Sequence, residues 1–187
     1  MNTHRKIIEE FRLNNDESLL NDFACTHNGK NGYEYSDDKN YKKRKNLILE
    51  LYNDYSSVDK PLIKNLLQEE LKGFEYDIPV YTIDLCAFML YKHMEVDDVY
   101  DLYEAKFGTG SDAEAYVDIE LVFGLSKEET KTFLKKEKTQ KKLNQEILAT
   151  IEWYESNPKA KFKSREEYIN YFETIKVNNI KSDLEEY

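Results

Sequence analysis

Residues 59–73, with the sequence DKPLIKNLLQEELKG, decide the fold class of this chain because they carry a complete helix signal. Ile63 and Leu67 lie on one apolar stripe that follows the 3.6-residue period of a helix. Pro61 suits the first helical turn, where a missing N–H breaks no bond, and Gly73 suits the left-handed backbone that ends many helices. The segment therefore predicts an amphipathic helix with one side against a core.

The same helical spacing extends over most of the chain. The segment Leu85–Leu90 is apolar on nearly every side, which is typical of a central buried helix. Ser126 and Ser164 each stand three residues before an acid, in the capping-box pattern that begins a helix. Asp112 is expected to cap a helix that extends to Phe123. The last helix is expected to carry its apolar residues at Tyr168, Tyr171, Phe172 and Ile175.

The chain is therefore predicted to be a single all-α domain over residues 1–187. Stacked antiparallel helix pairs fit the short connections, and they form either a HEAT-like α-solenoid or an irregular helical bundle. Residues 21–40 are rich in Asn, Gly and Asp and have no clear period, which predicts a loop or a mobile segment. Within them only Tyr33–Tyr35 alternates as a strand would.

Charge and hydropathy exclude several classes of partner. The chain has 27 Lys and Arg against 37 Asp and Glu, a net charge of −10, which disfavours nucleic acids and anionic membranes. No stretch approaches the roughly 18 apolar residues of a membrane span. The N-terminal residues carry no export signal. A cytoplasmic protein that binds neither nucleic acid nor membrane is expected.

Catalytic and metal-binding motifs are nearly absent from the sequence. There is no His-Glu-x-x-His, no Gly-x-Ser-x-Gly, no P-loop and no Gly-x-Gly-x-x-Gly. Cys25 and Cys86 are too few for a disulfide framework or a zinc quartet, so free thiols are expected. No cofactor is expected, and an enzyme is the less favoured class.

The negative charge is concentrated in one segment. From Asp84 to Glu120 there are ten acids against Lys92 and Lys106. Such a segment is either a solvated helix surface or an acidic docking surface for a protein with a basic surface. The candidate partner-binding residues are Asp97, Asp98, Tyr100, Asp101, Glu104, Asp112 and Asp118.

Two other readings of this region stay open. Asp97, Asp101 and Glu104 are spaced to share one helical face, which would allow a metal site, although the Asp-rich Ca²⁺ loop is missing. Among the aromatic residues, Tyr100, Tyr103 and Trp153 are core or interface candidates more than parts of a cofactor site. Any of the three rings, if exposed, would be an anchor candidate for a protein contact.

One stretch resembles a known group of proteins. Residues 98–106 read Asp-Val-Tyr-Asp-Leu-Tyr-Glu-Ala-Lys, followed by Asp112 and then by Asp118–Gly124. This is similar to uncharacterised bacterial helical proteins, whose stretch reads roughly Asp-Val-Trp-x-x-Trp-Glu-Ala-Lys, then Asn-Phe-Asp-Thr, then Gly-x-Asp. Tyr100 and Tyr103 replace both tryptophans, and the likeness covers about a third of the chain. The resemblance implies a bacterial, all-helical, cytoplasmic protein and no particular activity.

These observations favour a protein-binding module. Its most specific form is an immunity protein, an inhibitor that neutralises a basic toxin. The alternatives are a metal-assisted hydrolase that uses the carboxylates between Asp97 and Asp118, and a structural adaptor. The sequence leaves the oligomeric state open.

Overall fold

The computed structural model describes residues 3–30, 37–76 and 78–185, and these residues form an all-α fold. The helices are α1 (Thr3–Asn14), α2 (Tyr41–Tyr52), α3 (Lys60–Gly73), α4 (Tyr81–Lys92), α5 (Val99–Phe107), α6 (Ser111–Tyr116), α7 (Glu120–Phe123), α8 (Lys127–Lys136), α9 (Lys141–Glu155), α10 (Arg165–Tyr171) and α11 (Val177–Glu185). Short 3₁₀ turns cover Glu17–Phe23, Ser57–Asp59, Phe74–Tyr76 and Val96–Asp98, and a π-helical turn at Phe172–Lys176 joins α10 to α11. The predicted fold class is confirmed.

Helix α4 is the centre of the fold. Every residue from Thr82 to Tyr91 is buried, as the apolar segment predicts. Helices α2, α3, α5 and α11 all pack against α4. In a solenoid each repeat contacts only its neighbours along the chain, whereas α4 also contacts the distant α11. Of the two predicted arrangements, the structure is therefore the irregular bundle.

The buried apolar side chains form two clusters. The large cluster surrounds α4 and includes Phe88 and Phe172, whose rings stack with centroids 3.7 Å apart. The small cluster lies between α5, α7, α8 and α9. Its buried members are Val99, Ile119, Val122, Phe123, Leu134, Ile147 and Ile151. Half-buried aromatic rings surround the small cluster, so it ends in a partly exposed aromatic edge.

The helix expected between Asp112 and Phe123 is two short helices. Gly110, with φ 112°, is the residue before α6, and Asp112 lies inside the first turn, so the predicted cap is wrong. Val117 has an extended backbone that separates α6 from α7. The buried Lys106 ammonium donates to the carbonyl oxygen of Val117 at 2.6 Å, which satisfies a backbone group that an unbroken helix would have used itself.

The segment 21–40 is only partly a loop in the structure. Residues 21–23 end the 3₁₀ turn Glu17–Phe23, while residues 24–30 and 37–40 lie outside helices. The buried Asp38 carboxylate accepts the backbone N–H groups of Thr26 and Asn40, at 2.9 and 3.0 Å. The alternating Tyr33–Tyr35 falls outside the described residues.

The helical signals elsewhere match the structure. Helix α3 ends at Gly73 as expected, but Gly73 does not have the expected left-handed backbone, because the chain continues into the 3₁₀ turn Phe74–Tyr76. Ser126 and Ser164 precede α8 and α10. Ser164 and Glu167 form a complete capping box, whereas at α8 only the bond from the Glu129 N–H to the Ser126 hydroxyl is made. None of the described helices is long and apolar enough to cross a membrane.

Candidate functional site

The acids at the start of α5 face α3 and meet its lysines. Asp98 is fully buried, and its two oxygens pair with Lys60 and Lys64, each at 2.6 Å. The same carboxylate accepts the Glu95 N–H at 2.7 Å, which closes a capping box ahead of α5. Asp98 therefore holds α5 against α3. Because its carboxylate is fully buried, it cannot belong to a free acidic surface, and its prediction as a partner-facing residue is wrong.

The three acids predicted to share one face of this helix, Asp97, Asp101 and Glu104, have different surroundings in the structure. Asp101 pairs with Lys64 at 2.9 Å, and Glu104 accepts a hydrogen bond from Gln68 at 3.2 Å. Asp97 and Glu104 are exposed. The sequence contained a signal for this arrangement, because Lys60 and Lys64 are four residues apart on α3 and so share one face. That face of α3 supplies the positive charges that pair with the acids at the start of α5.

Tyr100 belongs to the edge of the small cluster. Its hydroxyl donates to the Asn144 side-chain oxygen at 2.8 Å, and its ring centroid lies 5.9 Å from that of Phe133. The neighbouring Tyr103 is also half-buried and packs against Phe107. Tyr100 therefore contributes to packing, and most of its ring is not free for a partner.

Asp118 lies in a buried group of charges that the sequence did not reveal, named here the Lys176 cluster: Asp84, Lys106, Asp118, Tyr168 and Lys176. The Lys176 ammonium contacts Asp84 at 2.8 Å and Asp118 at 2.6 Å. The Tyr168 hydroxyl donates to Asp118 at 3.1 Å. Burial raises the pKa of Asp84 to about 6, against the opposing pull of Lys176. Burial also lowers the pKa of Lys106 and raises that of Tyr168.

The π-helical turn explains why this cluster was missed. In an unbroken helix, Ile175 would follow Phe172 on the apolar face at the i+3 position. The turn at Phe172–Lys176 instead leaves Ile175 53% exposed and brings Lys176 inward. The prediction that Ile175 packs inward is therefore wrong. The sequence contains one sign of this buried cation. Lys176 lies four residues before Ile180, on a helical stripe that is otherwise apolar.

The carboxylates of the acidic segment do not gather around one point. Asp98 and Asp101 meet lysines, Asp112 is exposed on α6, and Asp118 pairs with Lys176. Within the described ranges, no three His, Cys, Asp or Glu side chains are placed to hold a metal ion. Both cysteines are free thiols, as expected.

A different surface has the properties of a contact site. Trp153 is the single tryptophan of the chain and is 68% exposed. Its ring meets the edge of Tyr154 at the C-terminal end of α9, with centroids 4.8 Å apart. The two rings border a pocket of about 410 Å³, whose other lining residues are Ser156, Asn157, Ala160 and Phe162. We call these six residues the Trp153 surface.

The Trp153 surface rests on a fixed base. Phe162 contacts Phe123 of the small cluster edge to face, with centroids 5.0 Å apart, and Lys127 lies over both rings. The next residue, Lys163, donates its N–H to Glu120 of α7 at 3.2 Å. One wall of the pocket is therefore held by packing and hydrogen bonding to the body of the protein.

Charged groups of both signs are exposed in this part of the chain. Asp112 and Glu114 of α6 are exposed and have no ion-pair partner among the described residues, and Glu114 acts electrostatically on Tyr154. Burial, followed by the Glu114 carboxylate, raises the pKa of Tyr154. On the other side, the exposed Lys159 and Lys161 flank Ala160.

Comparison with protein-family models, with curated proteins and with solved structures gave no match. The function is therefore argued from the geometry and the charges of the chain itself.

Proposed function

We propose that this protein acts by binding another protein, and that the Trp153 surface makes the central contact. The exposure of Trp153 beside an aromatic pocket supports the proposal. Tryptophan is the residue type most enriched among interface hot spots, and such residues pair with pockets on the partner. The fixed wall at Phe162 lowers the entropy cost of ordering the site on binding.

The partner in this proposal has a basic surface with an apolar side chain that enters the pocket. The net charge of −10 attracts such a partner over long range, and the exposed Glu114, which acts on Tyr154, directs it to the pocket. Asp112 of the same helix adds to this negative charge. The exposed Asp97 and Glu104 extend the acidic region along α5. An inhibitor that neutralises a basic toxin in the bacterial cytoplasm is the most specific form of the proposal.

The single tryptophan makes a direct test simple. Proteins that are retained by the immobilised wild-type chain, and not by an empty matrix, are identified by affinity capture, purified and titrated against the wild type. Saturation is expected to move the Trp153 emission to shorter wavelength, because binding removes the ring from water. A purified partner that binds without changing the emission would contradict a contact at the Trp153 surface.

The charge of the partner is tested with two opposed double variants. Asp112→Lys with Glu114→Lys is expected to slow association with a basic partner and to flatten its salt dependence. Lys159→Glu with Lys161→Glu is the matched control, and it is expected to speed association. Equal association rates for both variants, or the reverse order, would contradict a partner with a basic surface. Neither result would contradict a contact at the Trp153 surface.

A further inference from the structure

The Lys176 cluster ties the C-terminal helices to the rest of the protein. Lys176 is contributed by the π-helical turn, Asp84 by α4 and Asp118 by the connection between α6 and α7. The Lys176 ammonium donates hydrogen bonds to Asp118 at 2.6 Å and to the Tyr116 carbonyl oxygen at 2.8 Å, and it forms an ion pair with Asp84. Tyr168 of α10 bonds to Asp118 as well. Opening of the C-terminal segment breaks all of these contacts together.

Asp84 is the least satisfied member of the cluster. It is fully buried, and Lys176 pairs with its Oδ2 atom alone. Both oxygens of the carboxylate are buried, and neither has a hydrogen-bond partner among the described residues. An ionised carboxylate that accepts no hydrogen bond is costly to bury, whereas the protonated carboxyl is neutral. Opening of the C-terminal segment would return Asp84 to water and remove that cost.

We propose that Asp84 is a proton-controlled latch, which docks the segment Arg165–Glu185 tightly when Asp84 is protonated and loosens it when Asp84 is ionised. The device is independent of the Trp153 surface. Its direction follows from burial: the docked state favours the protonated form more than the open state does, so docking weakens as the pH rises.

The range of pH follows from the same geometry. Burial raises the pKa of Asp84 from 3.8 to about 6, so the docked state holds a proton between pH 4 and 6 that the open state has lost. Docking is therefore tightest below about pH 4 and reaches its weaker limit above about pH 6. A shift of roughly two pH units corresponds to a change of up to about a hundredfold in the opening equilibrium.

Other charged groups face this region from each packed element. Lys106 of α5 acts electrostatically on Asp84. Asp84 acts on Tyr116 of α6 and on Tyr168 of α10, and Asp183 of α11 acts on Tyr116. On the opposite side of α4, Glu70 pairs with Arg44 and bonds to Thr82. Burial raises the pKa values of Tyr116 and Tyr168, so both hydroxyls stay neutral at pH 7.5. Burial also raises the pKa of Glu70, against the opposing pull of Arg44, and the Asp84→Asn variant separates the effects of these two carboxyl groups.

His93 lies near this interface and opposes the latch. It follows α4, and its pKa is lowered by burial, then by Lys92, with a further contribution from Arg165 of α10. Protonation of His93 at low pH adds a positive charge beside two others and weakens docking, which is the opposite sign to Asp84. The experiment is therefore done with His93→Gln in every chain.

Hydrogen exchange measured by mass spectrometry tests the latch. Protection factors, corrected for intrinsic exchange, are compared at pH 5 and pH 7.5 for peptides within Arg165–Glu185 and for α1 as an internal reference. Protection of the C-terminal segment is expected to fall about tenfold at pH 7.5, while α1 changes little. Asp84→Asn, which mimics the protonated carboxyl, is expected to keep the high protection at both pH values.

The controls separate the latch from general effects of pH. Asp118→Asn removes a partly exposed carboxylate of the same cluster and is expected to retain the pH dependence. Equal pH dependence in the reference chain and in Asp84→Asn would overturn the proposal. If Asp84→Asn does not fold, the reference chain still decides, because equal changes in α1 and in the C-terminal segment would also overturn it.

Discussion

The large cluster and the small cluster differ in how far their aromatic and charged side chains are buried. In the large cluster Phe88 and Phe172 are fully buried, and the cations Arg44 and Lys176 are enclosed with carboxylates. At the edge of the small cluster the rings are half-buried, and Trp153 beside them is 68% exposed. The comparison indicates that the large cluster holds the fold together and that the edge of the small cluster is accessible to solvent.

The largest effect is expected at Arg44. Its guanidinium is fully buried, pairs with Glu70 and with Asp38 at 2.7 Å, and donates to the Phe23 carbonyl oxygen at 3.0 Å. Arg44→Ala leaves two carboxylates buried without their cation, which costs about 3–5 kcal/mol of the free energy of unfolding. Denaturant unfolding measures the loss.

Arg5 supplies the control for Arg44. It pairs with Glu50 and Asp54 near the surface, where water screens the charges, so Arg5→Ala should cost much less. Equal losses for the two variants would remove the distinction between buried and exposed ion pairs on which the role of the large cluster rests.

A smaller effect is expected where α5 meets α3. Asp98→Ala removes a buried acceptor from Lys60 and Lys64 and opens the capping box, with an expected loss of about 1–3 kcal/mol in the free energy of unfolding. The adjacent Asp97 is exposed and has no ion pair among the described residues, so Asp97→Ala should leave unfolding unchanged. Thermal and denaturant unfolding of both variants provide the measurement, and similar losses would contradict the assignment of Asp98 as structural.

The positions of α3 and α4 could be predicted from the sequence because their signals are local. Pro61 and Gly73 mark the ends of α3, and the apolar run Leu85–Leu90 marks α4. The break between α6 and α7 could not be predicted in this way. It depends on the Lys106 side chain reaching the Val117 carbonyl, a contact that requires the folded arrangement of α5 and α6.

The candidate site shows the same limit. The burial of Asp98 is decided by lysines from another helix, so its neighbour Asp97 looks identical in the sequence and lies in solvent in the structure. The exposure of Trp153 could be predicted in part. Ile147, Ile151 and Tyr154 follow the helical period on the apolar stripe of α9, and Trp153 lies one residue before Tyr154, beside this stripe. The pocket beside Trp153 required the structure, since its far wall comes from residues after α9.

The smallest effect on stability is expected at Trp153. The ring is mostly in water and lies outside the buried part of the small cluster, so Trp153→Ala should change the free energy of unfolding by less than about 0.5 kcal/mol. Urea unfolding followed by circular dichroism checks this. A loss of 2 kcal/mol or more would show that the ring packs as part of the core and is not free for a partner.

The most direct test of the central claim is the dissociation constant of the purified partner for Trp153→Ala. Leu13→Ala, which removes an 82% exposed apolar side chain from α1, is the matched control. If the Trp153 surface makes the central contact, Trp153→Ala weakens binding at least about thirtyfold, the size of a hot-spot residue, while Leu13→Ala binds like the wild type. Binding of Trp153→Ala within about twofold of the wild type would contradict the claim.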